Sequence, residues 1–501
     1  MNIKKFFCAV IAAVMMISVC PAVSAVDMKI VYKAGSFSSS EIELMKIIER
    51  SIRDRDQTSI DISSYNISFD EFESLYGSVV FHHPEFYYVS MTSAYLTYDS
   101  KDHIKEYAPL FTHSEKSQAK MEKQIKAKAD EILSGIDSKM TDAEKVLYIH
   151  DAIITCCDYY EGDNTAKGRS IYDVLVKGSS VCVGYSLTFL YFMDKLGIPC
   201  ICVTNDDHIW NMVQINENWY HVDTTWDDMN SESPNFVIHD MVLLSEYGLD
   251  TRDQKHDRWD YGMTADSSKY DDFFWKDSYS SITYLDGYWY YNKLDGLYRY
   301  NFRTNKSERV VKNNEKWKDK NGTWRISFGK NMRYGNSIIY STPTAVYRYT
   351  PSTGSNTCIA KPAMNSSYQI YDFTIDGSQL SLYTSDTYKQ ASKNIKTVSV
   401  SGKAANNPEV KTASKTSNSD KTGFALSSDK KGIHLSWKDK ADAEQYYVYR
   451  YNKKTKKAVI VTKTIETEVI LKHMDDDDNY LYAIRVRTSD GLGGYSAWLG
   501  V

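Results

Sequence analysis

Apolar and polar positions change period several times along the 501-residue chain, and each change predicts a different kind of element. "SSSEIELMKIIERSIRDR" places Ile42, Met45, Ile48 and Ile52 at helical spacing behind Ser caps and an early Glu. "SEKSQAKMEKQIKAKADEILSGI" predicts a long amphipathic helix, and between the two "EFYYVSMTSAYLTYD" alternates as a strand does. Residues 26–135 are therefore expected to be mostly helical. Another helix begins in "TDAEKVLYIHDAIITCC", with Thr141 as N-cap and Glu144 at capping-box distance. In "GYSLTFLYFMDKLG", Leu187, Leu190, Met193 or Phe192, and Leu196 mark a buried helix face that Gly197 ends. "IPCICVTN" predicts a strand. "DDHIWNMVQINENWYHVDTTWDD" predicts a hairpin with arms near 208–215 and 218–226 and its tip at Asn216-Glu217.

Beyond residue 270 the pattern turns to short strands. Three stretches, beginning near residues 280, 332 and 371, each give a strand, a D-G or G-N turn, an aromatic strand and a second hairpin. Their mean spacing of roughly 45 residues is typical of propeller-like blades; three are few for a closed propeller, so 270–400 is expected to be a β-repeat domain. Residues 401–423 are Ser-, Lys- and Asn-rich and apolar-poor, the composition of a linker. From 424 to 501 everything alternates, and the resulting strands suit a β-sandwich.

Composition narrows the classes. Lys+Arg number 60 against Asp+Glu 65, so nothing in the charge points to nucleic acid. The N-terminus joins Lys4 and Lys5 to an apolar run and then "PAVSA", with Val23 and Ala25 at the small-residue positions of a cleavage site. This is an export signal spanning 1–25. Of eight cysteines, two leave with it, and the six that remain are too sparse for a disulfide scaffold. A bridge between the pairs Cys156/Cys157 and Cys200/Cys202 stays open. C-x-C without a His/Cys cluster is weak ground for zinc, and "DDDDN" at 475–479 lacks the Gly and Glu of a calcium loop.

The chemistry concentrates in 136–262. Cys182, in "GSSVCVGYS", sits at or just before a helix N-terminus, where free N–H groups and the positive dipole end favour a thiolate. An even-length hairpin loop places His208 and Asp223 on one face, opposite or diagonal to each other. A nucleophile, a base and an acid thus converge in the order Cys, His, Asp. A lone Cys is more often core filler; the His and Asp on adjacent strands shift the balance to catalysis. His221 shares that face and is expected to pack. His82 and His83 precede Pro84 and belong to a loop.

"VCVGYS", "LGIPC", "HIWNMV" and "WYHVDTTWDD", in this order and spacing, resemble the transglutaminase-like superfamily, whose members share a papain-like core. "HHPEFYYV" and "EKVLYIHDAI" resemble extensions of secreted bacterial members. The resemblance covers roughly residues 80–260. It implies a core that packs a helix on an antiparallel sheet; with the all-β repeat region and the β-sandwich read above, the chain is expected to be multidomain α+β. It implies a Cys182–His208–Asp223 triad that needs no cofactor and no metal. Trp210, Asn211 and Trp226 would be structural neighbours. Val183 stands where many relatives carry Gln, and Cys157-Asp158 where many carry Tyr-Asp. A second oxyanion donor is a side chain in related enzymes; Tyr159 and Tyr160 are the candidates here. Residues 424–501 resemble a fibronectin type III domain in Trp437, in Tyr446-x-Val448-Tyr449-Arg450 and in Tyr480-x-Tyr482-x-Ile484-x-Val486.

The expected function is a secreted cysteine enzyme acting on amide bonds of proteins or peptides, with hydrolysis favoured over crosslinking. Its β modules would meet a cell-surface protein or carbohydrate. The rival expectation is a catalytically silent adhesion or cell-wall-binding scaffold.

Overall fold

The computed structural model describes residues 25–27, 37–160, 168–205, 208–228, 237–252, 256, 263–319, 322–323, 329–364, 368–376, 379–385 and 393–399. In the C-terminal stretch it describes 424–429, 432–438, 440, 443, 445–453, 457–471, 480–488 and 491–496. The expected signal core, the linker 401–423 and the acidic run 475–479 lie outside the described residues. These residues fall into two compact units. The first lies within Met1–Ile125, Asp142–Asp228 and His239–Phe273, the second within Lys126–Thr141, Met229–Ile238 and Phe274–Val501.

In the first unit, helix α1 (Ser39–Arg53) starts with a capping box: Ser38 Oγ accepts the Glu41 N–H (3.3 Å) while Glu41 Oε2 accepts the Ser38 N–H (2.8 Å). Its buried face is Leu44, Ile48, Ser51 and Ile52, and Ile42 is 42% exposed. The expected stripe is thus rotated. Apolar residues crowd this helix so densely that several stripes fit the period, and packing chooses among them. Helix α2 (Phe69–His82) follows with its own capping box from Ser68 and Glu71. A four-stranded antiparallel sheet in the order β1-β3-β4-β2 joins Ala25–Asp27 (β1), Ile60–Asp61 (β2), Val89–Tyr98 (β3) and Ile104–Phe111 (β4). The region expected to be mostly helical is therefore mixed. Strand β4, "IKEYAPLF", carries Pro109 and no clean alternation, so no period-two signal announced it. Helix α3 (Glu115–Leu133) is the long amphipathic segment; the division between the units falls within it, after Ile125.

Helix α4 (Asp142–Cys156) leads to a short parallel pair, β5 (Asp158–Tyr159) with β6 (Ser179–Ser180). Helix α5 (Cys182–Lys195) begins immediately after β6 and packs on the second sheet of the unit. That sheet is antiparallel in the order β10-β9-β8-β7, from Cys200–Thr204 (β7), Ile209–Ile215 (β8), Asn218–Val222 (β9) and Val242–Leu244 (β10). Leu187, Leu190, Phe192 and Met193 of α5 are all buried. Gly197 closes the helix at φ +67°, while the Ile198 N–H reaches back to the Met193 carbonyl (3.0 Å). The hairpin β8–β9 turns at Asn216 and Glu217, both at positive φ (48° and 69°), as a two-residue turn requires.

In the second unit each of the three repeats forms one antiparallel meander. Thr283–Leu285, Tyr288–Lys293, Gly296–Asn301 and Lys306–Lys312 make the first, and Asn331–Tyr334, Ser337–Ser341, Val346–Thr350 and Ser355–Ala360 the second. Gln369–Asp376, Gln379–Ser385 and Lys393–Ser399 make the third. Residues 424–496 form sheets of three and four strands around a core of Ile433, Leu435, Trp437, Tyr446, Val448, Tyr482 and Ile484. No described helix is long and apolar enough to cross a membrane.

Candidate functional site

Cys182 is the first residue of α5, and its backbone N–H belongs to the helix end that lacks intrahelical acceptors. Val181 before it is extended and contributes no side-chain cap. The turn is braced by Gly168, whose carbonyl accepts the Val181 N–H (2.9 Å) and the Ser180 hydroxyl (2.5 Å). A Cβ on Gly184 would lie 2.0 Å from Ser180 Oγ and 3.1 Å from the Gly168 oxygen, so glycine is needed for this approach. Two bonds lock α5 to β8: Ser186 Oγ donates to the Ile209 carbonyl (2.9 Å), and Asn211 Nδ2 to the Ser186 carbonyl (3.2 Å).

His208 sits one residue before β8, its N–H held by Asn205 Oδ1 (2.8 Å). Its Nε2 donates to Asp223 Oδ2 at 2.6 Å. Asp223 follows β9 directly; its N–H donates to the Met241 carbonyl (3.1 Å), and its Oδ1 accepts the N–H groups of Thr225 (2.8 Å) and Trp226 (3.1 Å). The hairpin register pairs Met212 with His221, which sets His208 and Asp223 diagonally on one face. Trp210 stacks on the His208 ring (centroids 5.7 Å apart, planes at 14°), and Trp226, 41% exposed, meets it edge-on.

Burial alone would lower the His208 pKa. The Asp223 charge and hydrogen bond, then a hydrogen bond and charge from Cys182, outweigh it and raise the ring to about 10. Burial pushes the Asp223 carboxyl up, but His208 and His256 together hold it well below the usual carboxylate range. The geometry thus joins His208 to Asp223, and Cys182 is among the groups that raise the ring.

His256 was not anticipated. Its buried Nε2 donates to the same Asp223 Oδ2 (2.9 Å), and its ring packs edge-on against Trp210 (4.9 Å). It lies in the polar stretch "DQKHDRW", where neither period nor spacing marks it. A second buried network likewise has no signature in the sequence. His150 on α4 bonds Asp151 Oδ1 (3.0 Å) and Asp227 Oδ2 (3.1 Å), and His239 Nε2 reaches Asp151 Oδ1 (2.9 Å). Asp227 in turn accepts the Met241 N–H (2.9 Å to Oδ2). Met241 is therefore gripped at its N–H by Asp227 and at its carbonyl by Asp223.

The other singled-out residues lie around this centre. His221 is buried, accepts the Trp210 indole N–H at Nδ1 (3.1 Å) and faces Glu246 (3.2 Å), the packing role expected of it. Tyr159 is 39% exposed on β5, and the Tyr160 N–H donates to the Ser180 carbonyl (2.7 Å). His82 donates to the Ser78 carbonyl (2.6 Å), and His83 pairs with Glu85 (3.0 Å). No disulfide joins the six cysteines of the described chain. Burial pushes the Cys200 and Cys202 thiols up. Among the described residues two groups, His208/Asp223/His256 and His150/Asp151/His239, bring enough ligand atoms together for a metal ion. In both, those atoms already bond one another, so a metal would have to displace hydrogen bonds.

A comparison with curated proteins returns no match. Among solved structures, a crystal structure of a TGase is 15% identical, covering 26% of this chain and 43% of its own, with a TM-score of 0.20. A structure of titin domains is 14% identical over 32% of this chain and 56% of its own (TM-score 0.14). The extracellular domain of a one component system from B. thetaiotaomicron is 11% identical over 59% of this chain and 43% of its own (TM-score 0.18). At these values the likenesses carry no argument. The chain spans less than half the length of the TGase chain it matches. Residues 126–224 match the sequence model of the Transglutaminase-like superfamily, so this chain contains a transglutaminase-like domain.

Proposed function

We propose that the chain is an exported thiol enzyme that cleaves amide bonds of proteins or peptides through Cys182, His208 and Asp223. The observation that supports this reading is the His208–Asp223 hydrogen bond at 2.6 Å, with Cys182 at the start of α5 among the groups that raise the His208 ring. With its pKa near 10, the ring holds a proton at neutral pH; in the proposed cycle this is the proton the thiol gives up. Sγ of Cys182 attacks the carbonyl carbon, and the Cys182 N–H at the helix start receives the oxyanion. His208 passes its proton to the amide nitrogen, the C–N bond breaks, and the amine leaves a thioester behind. Water then attacks the thioester as His208 takes its proton, and the acid departs with the thiol restored. Asp223 keeps the ring oriented and offsets its charge throughout.

In this reading residues 1–25 direct export and are removed, so that the mature chain begins at Val26. Residues 26–135 form the N-terminal region and 136–262 the catalytic domain. The β-repeat domain (270–400) and a fibronectin type III-like module (424–501), joined by the linker 401–423, engage a surface protein or carbohydrate.

The test offers the exported protein glutamine-containing peptides with and without a labelled primary amine. New peptide N-termini are expected. Incorporated amine instead would make the chain a crosslinking enzyme. No product of either kind, with Cys182→Ala still supporting adhesion, would replace the enzymatic reading with a scaffold.

A further inference from the structure

Beside the Cys182 constellation, the first unit holds a cavity of about 580 Å³. One wall is Gly168–Ser170 with Ser179, three positions before Cys182; another is β3 at Ser90–Ser93. These four β3 residues lie where the strand changes register on β4, from Val89 opposite Phe111 to Ala94 opposite Pro109. A bulge of this kind takes backbone out of its ladder, and bulges recur next to active sites. Tyr87, Tyr160 and Tyr172 add flat, half-polar surface.

The charged groups among the described lining residues are Arg169, Lys177 and Asp173. Asp173 is already committed, to Lys177 Nζ (2.8 Å) and to the Ser170 hydroxyl (2.6 Å). His113, also on the wall, is shifted toward its neutral form, by burial first and then by Lys177. Burial draws the Arg169 guanidinium down, while the charges of Cys182 and Tyr159 draw it back up. A half-buried guanidinium matches a planar carboxylate better than it matches water.

We infer that this cavity is a subsite for a carboxylate-bearing stretch of peptide adjoining the bond that Cys182 attacks, with Arg169 as its recognition group. The inference rests on the amide-cleaving reading above.

The test is calorimetric binding to full-length Cys182→Ala, which needs no turnover. Capped peptides differing only in Glu, Gln or Lys at one position are compared, alongside uncapped peptides whose only carboxylate is the C-terminus. Glu peptides should bind roughly tenfold more tightly than their Gln counterparts, the scale of one charge-assisted bond. If only the uncapped peptides gain, the subsite takes a chain terminus, and the carboxylate assignment stands. Arg169→Gln, added to Cys182→Ala, should erase the preference, and Arg169→Lys should retain part of it. Equal binding of Glu and Gln peptides without a terminal gain overturns the inference, as does a preference that survives Arg169→Gln. So does the absence of any binding. The Glu/Gln comparison stands without the Arg169 variants, should they fold poorly. Wild-type turnover without the preference would sink the subsite and leave the triad. Preference without wild-type turnover would sink the enzyme and leave the subsite.

Discussion

At the scale of single residues, the Asp223 carboxylate is the hinge of the site. Its four acceptor contacts come from Thr225, Trp226, His208 and His256, and the histidine pair shares Oδ2. His256→Ala removes one charge-assisted donor, worth about 1.5–3 kcal/mol. It should lower kcat roughly ten- to hundredfold with little change in KM, measured by steady-state kinetics on a cleaved peptide. Asp223→Ala should cost more, about 10⁴-fold by analogy with other triads, and Cys182→Ala should abolish turnover. The rate should also fall as pH rises through about 10, where His208 loses the proton destined for the leaving amine. A pH–rate profile flat beyond that point would contradict the role assigned to the ring. Cys358 is an exposed thiol and serves as an internal reference. Iodoacetamide at mildly acidic pH should label the less exposed Cys182 first, and His208→Ala should reverse the order.

At the scale of elements, α4 and the loop after β9 are joined through His150, Asp151 and Asp227. The His150 ring loses by burial but gains more from Asp151 and Asp227, ending raised at about 9. A raised folded-state pKa means that its stabilisation is whole below the unfolded value near 6.5. It is lost as pH climbs from there through about 9. Urea unfolding should therefore show stability declining across that window. In His150→Ala the decline should be blunted and total stability lower by about 3–5 kcal/mol, because two buried carboxylates lose their shared ring. An unchanged slope would remove His150 from the account. Much at this scale was legible. The α5 pattern, the hairpin tip at Asn216-Glu217 and the inward alternation of Ile433, Leu435 and Trp437 follow from local period and turn chemistry. Strand β4 and the face of α1 were not, because Pro109 breaks the alternation and the crowded apolar residues of α1 fit more than one stripe.

At the scale of the whole molecule, the proposed linker at 401–423 should be the first site of limited proteolysis, and residues 424–501 should unfold cooperatively by themselves. A fragment with no transition would move that boundary. Exported protein should have the mass of a chain beginning at Val26. The sequence alone determined what depends on neighbours along the chain: helix and strand periods, caps and turns. It also determined the candidacy of Cys182, His208 and Asp223, because an even hairpin loop forces two residues onto one face and a helix start lies beside one cysteine. Only tertiary structure decided what depends on residues far apart in the chain. His256 reaches Asp223 across 33 positions and His239 reaches Asp151 across 88, from segments with no period to announce them. Their places are set by the burial of charge, which demands a partner wherever the fold brings one, and not by any pattern that local sequence can carry.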